Sequence, residues 1–201
     1  MKIMDKLKKS NKIILFLLII MCISVIFSSI TVILLNENDN INVINEIETY
    51  ISNLSNINYF LSIRNIFISN LFYLIILWIL GISVIGIPIS IFLYFIKIFS
   101  ISFTISSFIM VYNFKGILIS IIYIFPCQII NILIIIYLLN LSLRISFKLL
   151  HTIINKKAFN YNIISNYKRF LLKGVIFFAI SSLYEIFIVP KLINLIIMYI
   201  K

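Results

Sequence analysis

The chain has 201 residues, 63% of them hydrophobic and 11% charged, with a net charge of +11. An ordinary soluble domain carries about 25% charged residues, and a water-soluble fold of this size has no interior able to hide so much apolar surface. A soluble enzyme is excluded on these grounds, and the basic residues, which gather at the ends of apolar runs, speak for membrane topology and against a nucleic-acid partner.

The run Leu71 to Ile96, LFYLIILWILGISVIGIPISIFLYFI, holds no charge. About 20 apolar residues of helix cross a hydrocarbon core, so this run is long enough, and other stretches resemble it. The expected fold class is all-α: a polytopic integral membrane helical bundle forming one domain over residues 1–201, embedded in a lipid bilayer, with about five spans, some proline-broken. The first span is 13–35. The preceding Met1–Lys12 segment holds five Lys and one Asp. The apolar run is too long for a secretory h-region and lacks a small-residue cleavage site, so it reads as an uncleaved helix.

Residues 36–70 form an acidic segment with Glu37, Asp39, Glu46 and Glu48 against Arg64. Ile41, Val43, Ile44, Ile47, Ile51 and Leu54 recur at intervals of three or four, the mark of an amphipathic helix. Such a helix lies on the membrane surface or a partner, or else docks on the protein's own loops. The second span, 71–96, is interrupted by Gly81, Gly86 and Pro88, with a kink or break expected near Ile85 to Pro88. Lys97 joins it tightly to a short third span, 98–112, where Ser100/Thr104 and Ser102/Ser106 stand four apart and favour close packing. The fourth span, 116–143, carries Pro126 near its middle. The fifth, 174–199, is interrupted by Pro190 and Lys191, and Leu192–Ile200 suits a short interfacial helix. Between them the basic loop 144–173 carries Arg144, Lys148, Lys156, Lys157, Lys168, Arg169 and Lys173 and no acid. This bias puts the loop and the N-terminus inside, and 36–70 and the C-terminus outside.

Chemistry-bearing patterns are missing. The sequence has no HExxH, GxSxG, glycine-rich phosphate loop or CxxC, and the lone His151 makes neither a metal site nor a base. Catalytic, cofactor-binding and metal-ligating residues are therefore expected to be none. Cys22 and Cys127 read as small buried hydrophobes. Asn and Ile are abundant, as expected of AT-rich codons. The outlying residue is Glu185, deep in the fifth span, where an ionised carboxylate is costly. Its candidate partners are Gln128, Asn131, Ser181, Ser182 and Lys97. We read it as a buried hydrogen-bond node that fixes helix register; the competing reading is a proton or ion relay in a small transporter or channel.

Three segments carry a resemblance: NLFYLIILWILGISVIGIPISIFLYFIKIF (Asn70–Phe99), YNFKGILISIIYIFPCQII (Tyr112–Ile130) and SSLYEIFIVPKLI (Ser181–Ile193). Their GI-x-x-x-GIP pattern, the later KGI and proline, and the closing E-x-x-x-x-P resemble the stage II sporulation protein M family of clostridia and bacilli. Members often carry glycines just after the lysine joining the second and third spans, where Ile98 and Ser102 stand here. The resemblance implies a non-enzymatic scaffold in the cell membrane of a low-GC Gram-positive bacterium. There it would localise peptidoglycan-remodelling enzymes, stage II sporulation proteins D and P, at the septum during forespore engulfment. The faces of small residues also permit a homo-oligomer. The candidate structural or functional positions are Gly81, Gly86, Pro88, Lys97, Pro126, Gln128, Glu185 and Pro190.

Overall fold

Backbone groups in hydrocarbon have no water to bond with, so an apolar chain resolves into helices that satisfy their own N–H and C=O groups. A computed structural model describes residues 2–53, 63–81, 83, 85–123, 127–154 and 162–200, and every regular element among them is helical. In chain order these are α1 (Lys2–Ile33), α2 (Glu37–Asn53), a π-helical turn (Ile63–Phe67) leading into α3 (Ile68–Leu80), α4 (Gly86–Tyr112), α5 (Phe114–Tyr123), α6 (Ile129–Ile154), α7 (Asn162–Phe187) and α8 (Val189–Ile200). Four stretches are long and apolar enough to cross a membrane: Lys12–Ile33, Gly86–Tyr112, Ile129–Leu150 and Arg169–Ile193. Arg64–Leu80 is apolar but shorter. The expected all-α polytopic bundle is the architecture found.

Side-chain contacts fix the direction of each helix. α1 and α4 run parallel: the Ser24 hydroxyl donates to the Phe95 carbonyl (2.8 Å), and further along the Ser29 and Ser106 hydroxyls meet at 3.3 Å. α3 and α4 form an antiparallel hairpin, with the Tyr73 hydroxyl donating to the Leu93 carbonyl (3.0 Å) and Lys97 Nζ to Asn70 Oδ1 (3.5 Å). α5 turns back along α4, bringing the Ser120 hydroxyl to the Ile105 carbonyl at 3.4 Å. α6 and α7 are antiparallel, with the Tyr137 and Phe170 rings 4.3 Å apart near one end and Gln128 bonded to Glu185 near the other. The chain thus alternates direction through α1, α3, α4, the α5–α6 pair and α7.

This path corrects the expected boundaries. Spans 71–96 and 98–112 are not two helices meeting at Lys97. The interruption falls between Leu80 and Gly86, and α4 runs unbroken through Lys97 to Tyr112. The physical reason lies at Pro88. It occupies the first turn of α4, where no intrahelical partner awaits its missing N–H, so it starts a helix instead of kinking one. Gly81, Gly86 and Pro88 therefore belong to the turn of a hairpin.

Span 116–143 divides into α5 and α6, with Cys127 and Gln128 in a π-helical turn between them; Pro126 lies outside the described residues. The expected loop 144–173 is mostly helix, because α6 continues to Ile154 and α7 begins at Asn162; residues 155–161 lie outside the described set. Helix α7 consequently starts well before Gly174. At Pro190 the α7–α8 junction is a kink: Ile188 N–H still donates to Tyr184 (2.9 Å), and Leu192 N–H to Ile188 (3.1 Å). Ser100 and Thr104 bond back to Ile96 and Ser100 carbonyls of their own helix, so that pair makes no interhelical hydrogen bond here.

Two apolar clusters fill the interior. The larger joins α1, α3, α4, α6 and α7 through Leu17, Leu74, Leu77, Tyr94, Ile135, Leu139 and Phe178. The smaller gathers Ile47, Phe108, Ile119, Cys127, Val189 and Ile193. Ile47 and Val43 bring α2 into this second cluster, so the amphipathic helix docks on the protein's own body. Its acids Glu37, Asp39, Glu46 and Glu48 stay exposed. The outer surface is apolar as well: Leu18, Ile26, Phe72, Phe92, Leu133, Ile176 and Ile180 are all exposed. Water does not tolerate so extensive an apolar surface, whereas lipid does. Both cysteines are free thiols, Cys22 exposed and Cys127 buried.

The hairpin turn depends on a close approach. A Cβ on Gly86 would collide with the Leu80 carbonyl, which is backbone and cannot step aside, whereas one on Gly174 meets only the Leu74 Cδ1 at 3.3 Å and the Ile134 Cγ2 at 3.6 Å. Gly86→Ala is expected to destabilise the folded protein by about 1–3 kcal/mol, in the range of overpacking, and Gly174→Ala by much less. Thermal unfolding of the two purified variants in the same detergent checks the contrast; equal melting temperatures would refute it.

Candidate functional site

Four helices carry polar side chains between the two apolar clusters. Along α7 the order is Phe178 of the larger cluster, then Ser181, Ser182 and Glu185, then Val189 of the smaller one. From the π-helical turn into α6 it is Cys127 of the smaller cluster, then Gln128 and Asn131, then Ile135 of the larger. On α4, Lys97 sits beside Ile98 of the larger cluster, with Phe108 of the smaller one beyond it. Antiparallel packing of α6 on α7 brings these stretches to one level, and α3 adds Asn70. The result is a polar layer inside an apolar bundle.

Asn70 is the hub. It is buried, its Nδ2 donates to the Ser182 hydroxyl (3.2 Å), and its Oδ1 accepts from Lys97 Nζ (3.5 Å). Gln128 Nε2 donates to Glu185 Oε1 at 3.2 Å, and the Ser181 hydroxyl donates to the Cys127 carbonyl at 3.1 Å. Lys97 and Glu185, one basic and one acidic side chain, lie near each other in this layer. The ammonium also stands 5.5 Å from the centre of the Tyr73 ring, a cation–π contact that partly replaces lost hydration. A lysine about 16 Å along α4 from Gly86 is tolerable only because α3 supplies both an amide oxygen and a ring face.

Of the positions singled out in the sequence, Lys97, Gln128 and Glu185 come together in this layer. Gly81, Gly86 and Pro88 do not; they form the hairpin turn at another level. Pro190 is buried at the start of α8 beside Val189, next to the smaller cluster. Asn131 and Ser182, weighed as partners of Glu185, both lie in the layer, but Ser182 is bonded to Asn70. Asn70 itself was missed. Its signal was a lone amide opening an apolar run, the pattern of an interhelical hydrogen-bonding residue in a span. Among the described residues no three His, Cys, Asp or Glu side chains gather into a metal-binding group.

The family model of Stage II sporulation protein M matches residues 14–190, and the chain belongs to that family. Comparison with curated proteins and with solved structures returned no significant match. The matched range contains every residue of the polar layer and both apolar clusters except Ile193.

The hub role of Asn70 has a measurable signature. Asn70→Leu removes the hydrogen-bond partner of Lys97 and Ser182 at once and is expected to cost about 2–4 kcal/mol, since two polar groups inside the bundle lose a partner together. Ser182→Ala is expected to cost about 1 kcal/mol or less. Unfolding of both single variants and the double variant in mixed micelles completes a double-mutant cycle. Strictly additive losses would show that the Asn70–Ser182 bond carries no coupling.

Proposed function

We propose that this member of the stage II sporulation protein M family is a non-enzymatic membrane scaffold. It localises peptidoglycan-remodelling enzymes, of the kind of stage II sporulation proteins D and P, at the septum while the forespore is engulfed. The family match over residues 14–190 carries this reading. Two features support it. The basic residues at the N-terminus and around the α6–α7 connection assign both to the cytoplasmic side. With helix direction alternating as described, α2 and α8 then lie on the outer side, where wall enzymes work. Helix α2 is anchored by Ile47 and leaves Glu37, Asp39, Glu46 and Glu48 exposed along two flanks, acidic charge that suits contact with a basic surface.

A second reading, a small transporter or channel centred on Glu185, draws support from the polar layer, since ionisable residues inside a membrane commonly mark ion or proton paths. The scaffold reading is preferred because Glu185 is the only acid in the apolar spans, and a lone intramembrane acid without a second is thin support for a transport path.

A deletion strain should complete the septum and stall before the membrane migrates around the forespore; time-lapse microscopy with a membrane dye reads this directly. Neutralising the four α2 acids to glutamine and asparagine should leave the protein membrane-inserted at normal abundance and abolish co-purification of septal hydrolases. Normal engulfment in the deletion strain would refute the scaffold, and undiminished co-purification with the neutralised helix would remove α2 from it.

A further inference from the structure

The polar layer holds more acceptors than its own donors serve. Four buried side-chain atoms in it have no hydrogen-bond partner: Gln128 Oε1, Asn131 Oδ1, Asn131 Nδ2 and Glu185 Oε2. Asn131 is 0% exposed and Gln128 4%. Such groups are expensive to bury alone and ask for a ligand. Three of the four are oxygens, and one belongs to a carboxylate. Gln128 and Glu185 are directly bonded through their other atoms, and Asn131, three residues after Gln128, is likewise buried in this layer. Whichever way the Asn131 amide is turned, it presents one oxygen.

Oxygen-only donors select hard cations over transition metals. A divalent ion calls for more negative charge than one carboxylate, and Lys97 adds a positive charge nearby. Interrupted helices also flank the position: the π-helical turn carries Gln128, and the α7–α8 kink follows Glu185. In membrane proteins such interruptions are where alkali ions are held.

We propose that Glu185 Oε2, Gln128 Oε1 and Asn131 Oδ1 form an intramembrane binding site for a monovalent alkali cation, Na+ or K+. Asn131 Nδ2 donates to a water of the ion's shell. Lys97 is a tethered rival. Its ammonium is held by Asn70 and Tyr73 near the same carboxylate, so as a nearby positive charge it lowers the affinity of the site without filling it. The assignment is independent of the scaffold role and stands or falls on ion binding alone.

The test uses the full chain purified in detergent. Thermal unfolding is followed in NaCl, KCl and N-methylglucamine chloride at constant ionic strength, alongside equilibrium binding of radiosodium and radiorubidium. NaCl or KCl should raise the melting temperature saturably over N-methylglucamine chloride, the larger shift identifying the ion. Glu185→Gln and Asn131→Leu should flatten the response. Lys97→Met should lower the half-saturating concentration about tenfold by removing a nearby like charge. Identical melting in all three salts for both wild type and Lys97→Met, without saturable isotope binding, would overturn the site. So would cation stabilisation that survives in Glu185→Gln and Asn131→Leu. If those two variants fail to fold, the isotope measurement on wild type and Lys97→Met decides.

Discussion

The structure turns on one constraint: a polar group held away from water must find its partner inside the protein. In this bundle the constraint converges on Asn70. One amide side chain donates to Ser182 of α7 and accepts from Lys97 of α4, so three helices are pinned to one another at a single level. Apolar packing does not fix such a level. Lipid tails are as greasy as leucine, and helices slide on each other at little cost. A hydrogen bond displaced by one turn is lost. The polar layer therefore sets the register of the bundle, and the two apolar clusters above and below it fill the space that register defines.

The same constraint explains why the exterior is as apolar as the interior and why small hydroxyls sit where helices meet. Buried serines at positions 24, 90, 102, 120, 142, 146, 181 and 182 are small enough to let helices approach, and several bond across to a neighbouring backbone. Ser24 reaches the Phe95 carbonyl, and Ser146 reaches Gly81 and Ser83 in the hairpin turn. Large apolar side chains such as Phe72, Phe92 and Leu133 point outward, where they meet hydrocarbon. Helix α2 is the exception, amphipathic in the manner of a soluble helix. It turns Ile47 and Val43 toward Phe108 and leaves its acids free.

Much of this was legible in the amino-acid order. Charge-free runs and their length declare membrane helices, and Glu185 and Gln128 stand out because intramembrane polar groups are rare. The misreadings have a common cause. A continuous apolar stretch does not reveal where it folds back, since the turn between α3 and α4 passes through residues as apolar as the helices themselves. Pro88 was legible as an interruption but not as the first turn of a helix. Lys97 looked like a connector because a lysine in mid-span is affordable only with a partner, and that partner, Asn70, lies in another helix. Local sequence carries no trace of such a pairing, which tertiary packing alone creates.

The shortness of α3 bears on how the protein enters its membrane. The stretch Arg64–Leu80 begins with a guanidinium, contains two amides, Asn65 and Asn70, and falls short of the longer spans. At that length it does not span a hydrocarbon core by itself. Its antiparallel neighbour, which is long enough, follows only a few residues later. The first arm is therefore secure only once the second has been delivered, so this portion of the polypeptide enters as a joined pin and not one rod at a time.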